Sequence, residues 1–231
     1  MSTQFKTMIV SGIHLGHQKS KTKAFLELLE QYSAQKLILN GNTFDMPVQF
    51  KKIIAESKQV KLFQKLIRQI KNSGGDVVML RASEFEHIPS KVSKHNSDVL
   101  TIADEFVYDS QEKSFLIRNE QSLTMSKSFY ALMFRLGLLG KKLASNIKSL
   151  INPTDEIIGT DKGKLISNLM KRVKYSGCEG IIIASKYNQG ISEIEEKKYM
   201  NCGSWLQSQC ALVEDFSGEW RILYYNNSNT S

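Results

Sequence analysis

Four short segments set a glycine or small residue beside a hydrogen-bonding or ionisable side chain: SGIHLG at 11–16, GNTFD at 41–45, RASEF at 81–85 and ASKYNQG at 184–190. Each follows an aliphatic run, and in open α/β folds ligands collect at the ends of such strands. His14, Asn42, Asp45, Ser83, Glu84, Ser185, Lys186 and Tyr187 are therefore candidates for one site. Two kinds of chemistry are open to them. His14 or Glu84 could act as general base, with Arg118 stabilising developing negative charge. Alternatively, Arg118 and Lys186 could hold a phosphate by fixed charge, the arginine through two parallel hydrogen bonds. Against this stands the plainer reading of both cations as solvated loop residues, and of Asp45 as a residue that fixes its own loop.

The elements that must position these residues are legible from periodicity. Residues 6–10, 36–40 and 76–80 predict strands, separated by helices over 23–32 and 59–71. Phe25, Leu28, Leu29 and Tyr32 share one face of the first helix, and Phe63, Leu66, Ile67 and Ile70 share one face of the second. Gly74-Gly75 stops that helix. Strand–helix alternation of this kind predicts βαβ units and a parallel sheet. Short strands follow over 100–117 with a turn near Asp109-Ser110. A helix over 161–175 turns Leu165, Ile166, Leu169 and Val173 inward, and strands return at 180–184, 209–215 and 219–225. Ser217-Gly218 supplies the last hairpin turn.

Between these lies a basic, apolar stretch. Residues 121–153 carry Lys127, Arg135, Lys141, Lys142 and Lys148 with no acidic residue, interleaved with Phe129, Tyr130, Phe134 and several leucines. A helix of this composition can lie in the headgroup region of an anionic membrane, with Phe129, Phe134, Arg135, Lys141 and Lys142 as the contacts. The alternative packs Leu132, Leu136 and Leu139 onto the main domain and leaves the lysines solvated.

Bulk properties narrow the field. The chain has 231 residues, enough for one α/β domain with a substantial core. Its formal charge of +8 suits an anionic partner, or mere solubility. The three cysteines, Cys178, Cys202 and Cys210, suit buried thiols in a reducing cytoplasm rather than a disulfide framework or zinc site. No run approaches the roughly 20 apolar residues of a membrane span, and no secretory leader is expected. Nothing beyond net charge speaks for nucleic acid.

Taken together, SGIHLG, GNTFD and the C-terminal segment YMNCGSWLQSQCALVEDFSGEWRILYY at 199–225 resemble the calcineurin-like metallophosphoesterases. More narrowly they resemble the UDP-2,3-diacylglucosamine pyrophosphatase branch, which acts on a lipid A precursor in bacteria. That branch reads SDIHLG, GDIFD, GNHD, a His-Gly-Asp segment and GHTH, and closes on Tyr-x-Asn-x-Gly-Asp-Trp. The resemblance implies a four-layer α/β/β/α sandwich, one domain over 1–231, with a helical cap inserted at 121–176. It also implies two divalent ions held by carboxylate, imidazole and amide ligands, which polarise a phosphoryl group and activate water.

The departures fall on the ligands themselves. The first Asp is replaced by Gly12, and the bridging Asp by Asn42, while His14 is kept. The Asn and His of GNHD fall on Ser83 and Glu84, a later His on Arg118, and the two His of GHTH on Ser185 and Tyr187. The expectation is therefore a pseudoenzyme with no bound metals and no catalytic residues. It would be a binding or scaffolding protein for a phosphorylated ligand, a lipid or a protein partner, in the cytoplasm or peripheral on the inner face of a bacterial membrane. The alternative is a metal-independent hydrolase of a sugar-nucleotide lipid A precursor.

Overall fold

Strands form where the chain is aliphatic on both faces, and the first of them sets the frame. In the computed structural model, which describes residues 3–15, 19–44, 58–82, 100–119, 157–185 and 188–225, β1 (Thr3–Val10) is buried from Thr7 to Val10 without alternation. That is the signature of a central strand covered on both sides. In chain order there follow α1 (Thr22–Gln31), β2 (Tyr32–Asn40), α2 (Lys58–Asn72), β3 (Asp76–Leu80), β4 (Leu100–Ala103), β5 (Glu105–Ser110) and β6 (Lys113–Asn119). Then come α3 (Ile157–Ser176), β7 (Gly180–Ala184), β8 (Gly190–Ile194), β9 (Lys197–Asn201), α4 (Trp205–Ser208), β10 (Cys210–Glu214) and β11 (Trp220–Tyr224).

The strands form two sheets. One has six strands in the order β11-β10-β1-β2-β3-β4, the other five in the order β5-β6-β7-β9-β8. β1 to β4 run parallel, as the βαβ pattern predicts, and β10 and β11 close that sheet antiparallel. Three apolar clusters make four layers. Phe25 and Leu28 of α1 and Val60, Phe63 and Ile67 of α2 cover Met8, Val10, Leu37, Leu39, Val77 and Met79 on the outside of the first sheet. Ile9, Ile38, Val78 and Leu80 meet Phe115, Ile117, Ile182 and Met200 between the sheets. Leu169, Met170 and Val173 of α3 cover Leu116, Ile181 and Ile183 on the outside of the second sheet. Each fully buried Phe or Leu in these layers contributes about 1.5–3 kcal/mol. The architecture is the expected α/β/β/α sandwich.

Two elements depart from the sequence reading. α1 stops at Gln31, and Tyr32 passes directly into extended backbone. β2 is thereby nine residues long rather than five, because Thr3, Gln4 and Phe5 of β1 offer pairing partners to Tyr32, Ser33 and Ala34. The β8–β9 hairpin was not expected at all. Its turn is Glu195-Glu196, both left-handed at φ 51° and 63°, where such turns ordinarily carry Asn and Gly. Of the cap expected at 121–176, residues 121–156 lie outside the described residues, and residues 157–176 form α3, which packs on the second sheet.

A buried polar cluster also links the sheets. Glu214, fully buried on β10, accepts from Lys6 Nζ at 3.2 Å and from the hydroxyls of Tyr108 and Ser110 on β5. Burial and the Glu214 hydrogen bond push the Tyr108 phenol well above its ordinary range. All three cysteines are buried and unbridged.

Candidate ligand site at the strand ends

The C-terminal ends of β1, β2, β6, β7 and β9 meet along one edge of the sandwich, and backbone hydrogen bonds hold the first two loops together. Gly12 N donates to Gly41 O at 3.2 Å, His14 N to Asn42 O at 2.9 Å and Leu15 N to Thr43 O at 2.8 Å. Four residues in these loops are left-handed: Gly12 at φ 64°, His14 at 52°, Gly41 at 77° and Asn42 at 50°. For the two non-glycine residues this conformation costs on the order of 1 kcal/mol each, strain of the kind that gathers at ligand sites. Gly12, His14 and Asn42 are thus brought together as the sequence predicts.

Neutral side chains from the opposite loops fill the space these residues face. A Cβ on Gly12 would lie 2.4 Å from Ser204 Oγ, and a Cβ on Gly41 would lie 2.3 Å from Asn119 Nδ2. Asn119 Nδ2 donates to Asn40 O at 2.7 Å, and Asn40 Nδ2 donates to Arg118 O at 3.2 Å. This reciprocal pair of amide bonds ties β2 of the first sheet to β6 of the second. Asn201 makes a second clamp, accepting at Oδ1 from Ser185 N and Gly203 N, each at 3.0 Å, and donating to Asn188 O at 3.3 Å. Trp205 N and Leu206 N then donate to the carbonyls of Ser11 and Gly12, at 2.7 and 3.1 Å.

Asn40, Asn119, Asn201 and Ser204 are structural residues of this edge that the sequence reading passed over. A signal for one of them existed. Phe115, Ile117 and Asn119 alternate with Leu116 and Arg118 along β6, so Asn119 belongs to the inter-sheet face. Ser204 stands where the resembled segment YMNCGSW has an Asp in the phosphoesterases.

Arg118 goes the other way. Its Nη1 donates to Glu105 Oε2 at 2.8 Å, and Arg172 Nη2 of α3 donates to the same oxygen at 2.7 Å. Burial and the neighbouring Arg172 charge lower its pKa, opposed by Glu105. Arg81, first residue of the RASEF loop, pairs instead with Asp104 at 2.9 Å. Ser83, Glu84, Asp45, Lys186 and Tyr187 lie outside the described residues, as do Phe129, Phe134, Arg135, Lys141 and Lys142.

No protein-family model matches the sequence, and no curated protein matches it. Solved structures do. An archaeal phosphodiesterase aligns over 94% of this chain and 98% of its own, with a TM-score of 0.51 at 11% identity. The chain has the calcineurin-like metallophosphoesterase fold. Lower similarities are found to Vps29 of Entamoeba histolytica complexed with zinc (TM-score 0.47, 8% identity, 95% of this chain and 99% of that one). A predicted phosphoesterase of Streptococcus pneumoniae gives a TM-score of 0.42 at 8% identity, over 94% and 96% of the two chains.

That fold implies a divalent metal pair at the strand ends, and the described residues do not fit one. Gly12 offers no side chain, Asn42 and Asn119 are uncharged, and among the described residues no three His, Cys, Asp or Glu converge. A dinuclear centre needs anionic and imidazole donors, above all a bridging carboxylate, to offset four positive charges. Among the described residues, moreover, no helix is long and apolar enough to cross a membrane.

Proposed function

We propose that this protein is a metallophosphoesterase-fold pseudoenzyme that binds a phosphorylated ligand without hydrolysing it. One observation carries the reading: the place of the first metal ligand has no side chain and faces the neutral Ser204 hydroxyl, and the neighbouring bridging place holds the neutral Asn42. A substitution of one ligand would weaken a metal site while leaving room for the ion. Here a carboxylate at position 12 would need the Ser204 hydroxyl to turn aside and would sit on a backbone at φ 64°, so more than one change separates the site from function. The same loops hold His14 and Asn42 in left-handed conformations. Strain of this kind gathers at ligand sites, which supports a recognition role.

The ligand class rests on the sequence segments SGIHLG, GNTFD and YMNCGSW, which resemble enzymes acting on a sugar-nucleotide lipid. The basic, apolar stretch at 121–153 supports a peripheral position on an anionic membrane. Flotation with vesicles of anionic phospholipid tests that position: the chain should float, and Lys141→Glu with Lys142→Glu should release it.

Catalysis is tested by incubating the full chain with a UDP-diacylglucosamine substrate and excess manganese. The expected result is no release of UMP above the protein-free control. Metal-dependent turnover that survives further purification would overturn the proposal. Turnover that persists in chelator would favour a metal-independent hydrolase instead.

A further inference from the structure

The two sides of α2 have opposite chemistry. Val60, Phe63 and Ile67 are buried against the first sheet. On the other side Lys58, Lys61, Lys65 and Arg68 recur at spacings of three and four residues, which places them in one exposed stripe. The helix contains no Asp or Glu. Elsewhere in the fold Lys6, Lys23, Lys36, Arg81, Lys174 and Lys197 each sit against a carboxylate. The four cations of the stripe make no ion pair or hydrogen bond among the described residues. Neighbouring segments do not cancel their charge. Residues 45–57, which lead into α2, carry Asp45 and Glu56 but also Lys51 and Lys52. α1, on the same outer layer, sets Glu27 and Glu30 against Lys23. Leu62 stands among the cations, one turn from Lys58 and from Lys65, and is 38% exposed.

We propose that the exposed face of α2 is a docking surface for an anionic phospholipid bilayer. The stripe points away from the sheet, so the folded chain can lay it along a flat negative surface without rearranging. A cation brought to an anionic leaflet strengthens binding about fivefold, and four together amount to roughly several hundredfold. Long lysine and arginine stems keep their charges at headgroup level while Leu62 reaches the less polar zone beneath. Duplex nucleic acid would meet the same charges. An exposed leucine among them gains nothing from a phosphate backbone, whereas a bilayer takes it out of water. The inference rests on the peripheral position proposed above and gives it a folded surface, carried by residues other than 121–153.

The test is co-sedimentation of the full chain with vesicles of phosphatidylcholine, with and without phosphatidylglycerol. Binding should require phosphatidylglycerol and weaken as salt rises. Lys61→Gln with Lys65→Gln should lower affinity roughly thirtyfold, about fivefold for each charge. Lys61→Arg with Lys65→Arg, which keeps both charges, should match the parent. Leu62→Ser should lower affinity roughly threefold, a loss that a purely electrostatic partner would not register. Lys113→Gln, on an exposed position of the second sheet, should change nothing. All are surface substitutions, and an unchanged melting temperature checks the fold. Lys141→Glu with Lys142→Glu reports on the other basic stretch. If that pair abolishes binding while the α2 variants leave it intact, this inference fails and the earlier reading stands. Loss with the α2 variants alone sustains this inference and removes the role given to residues 121–153. Equal binding to phosphatidylcholine alone, no effect of Leu62→Ser, or tighter binding to duplex DNA than to the vesicles would each overturn the proposal. Absence of binding by the parent chain would overturn both.

Discussion

Asn119→Ala probes the interlock at the strand ends. The substitution removes the 2.7 Å bond from Asn119 Nδ2 to Asn40 O and leaves a carbonyl in a fully buried residue without that donor. A lost hydrogen bond costs about 1 kcal/mol net, and a buried acceptor left unmet raises this to about 1–3 kcal/mol. The missing amide also opens a small gap against Gly41, whose Cβ direction it fills. At about 24 cal/mol per Å³ the unfilled volume adds under about 1 kcal/mol. The total is about 2–3 kcal/mol, or roughly 5–10 °C in Tm for a domain of this size. Urea denaturation followed by circular dichroism, with the slope of the transition checked for constancy, measures it. A loss under about 0.5 kcal/mol, the level of an ordinary surface substitution, would refute the claim that this amide clasps the two sheets.

The same geometry makes a coupled prediction. Gly41→Ala should cost more than about 1 kcal/mol, through its left-handed φ of 77° and the clash with Asn119. Part of that cost should vanish in an Asn119→Ala background, a non-additivity that a double-mutant cycle reads directly. Replacing the Glu195-Glu196 turn by Asn-Gly should stabilise the chain by about 0.5–1.5 kcal/mol in the same denaturation assay, since both positions are left-handed. Glu214→Ala should destabilise by about 3–5 kcal/mol, because it takes the buried acceptor away from Lys6 and the Tyr108 and Ser110 hydroxyls. Asp215 supplies a pH-dependent prediction. Its hydrogen bonds from Ser217 and from Glu219 N hold its pKa below the ordinary carboxylate value. The stability this brings is present above the unfolded pKa, near about 4, and is lost as pH falls through the folded value. Asp215→Asn should therefore flatten the acid limb of a pH–stability profile.

Periodicity exposed most of the frame. β3 and β7 run over the residues their aliphatic runs predict, and β1, β10 and β11 differ only at their ends. Such strands carry their own signal, because burial on both faces demands an unbroken apolar run. The β8–β9 hairpin carried none: GISEI is mostly exposed, and its turn lacks Asn or Gly. The site was legible only in part. Gly12, His14 and Asn42 follow strands close together in sequence, so their proximity follows from the parallel pairing of β1 and β2. Asn119 and Ser204 reach the same edge from a different sheet and a different loop, and their place depends on registers no local window contains. Arg118 shows the limit most clearly. Its position in sequence suggested the metal edge, while strand alternation turns its side chain toward α3 and Glu105.

The central claim is that the strand ends have lost their dinuclear centre, and calorimetric titration of the chelator-stripped full chain with manganese tests it most directly. The account predicts no saturable binding at the strand ends and no change in melting temperature. Two manganese ions bound per chain, with a matching rise in melting temperature, would contradict it.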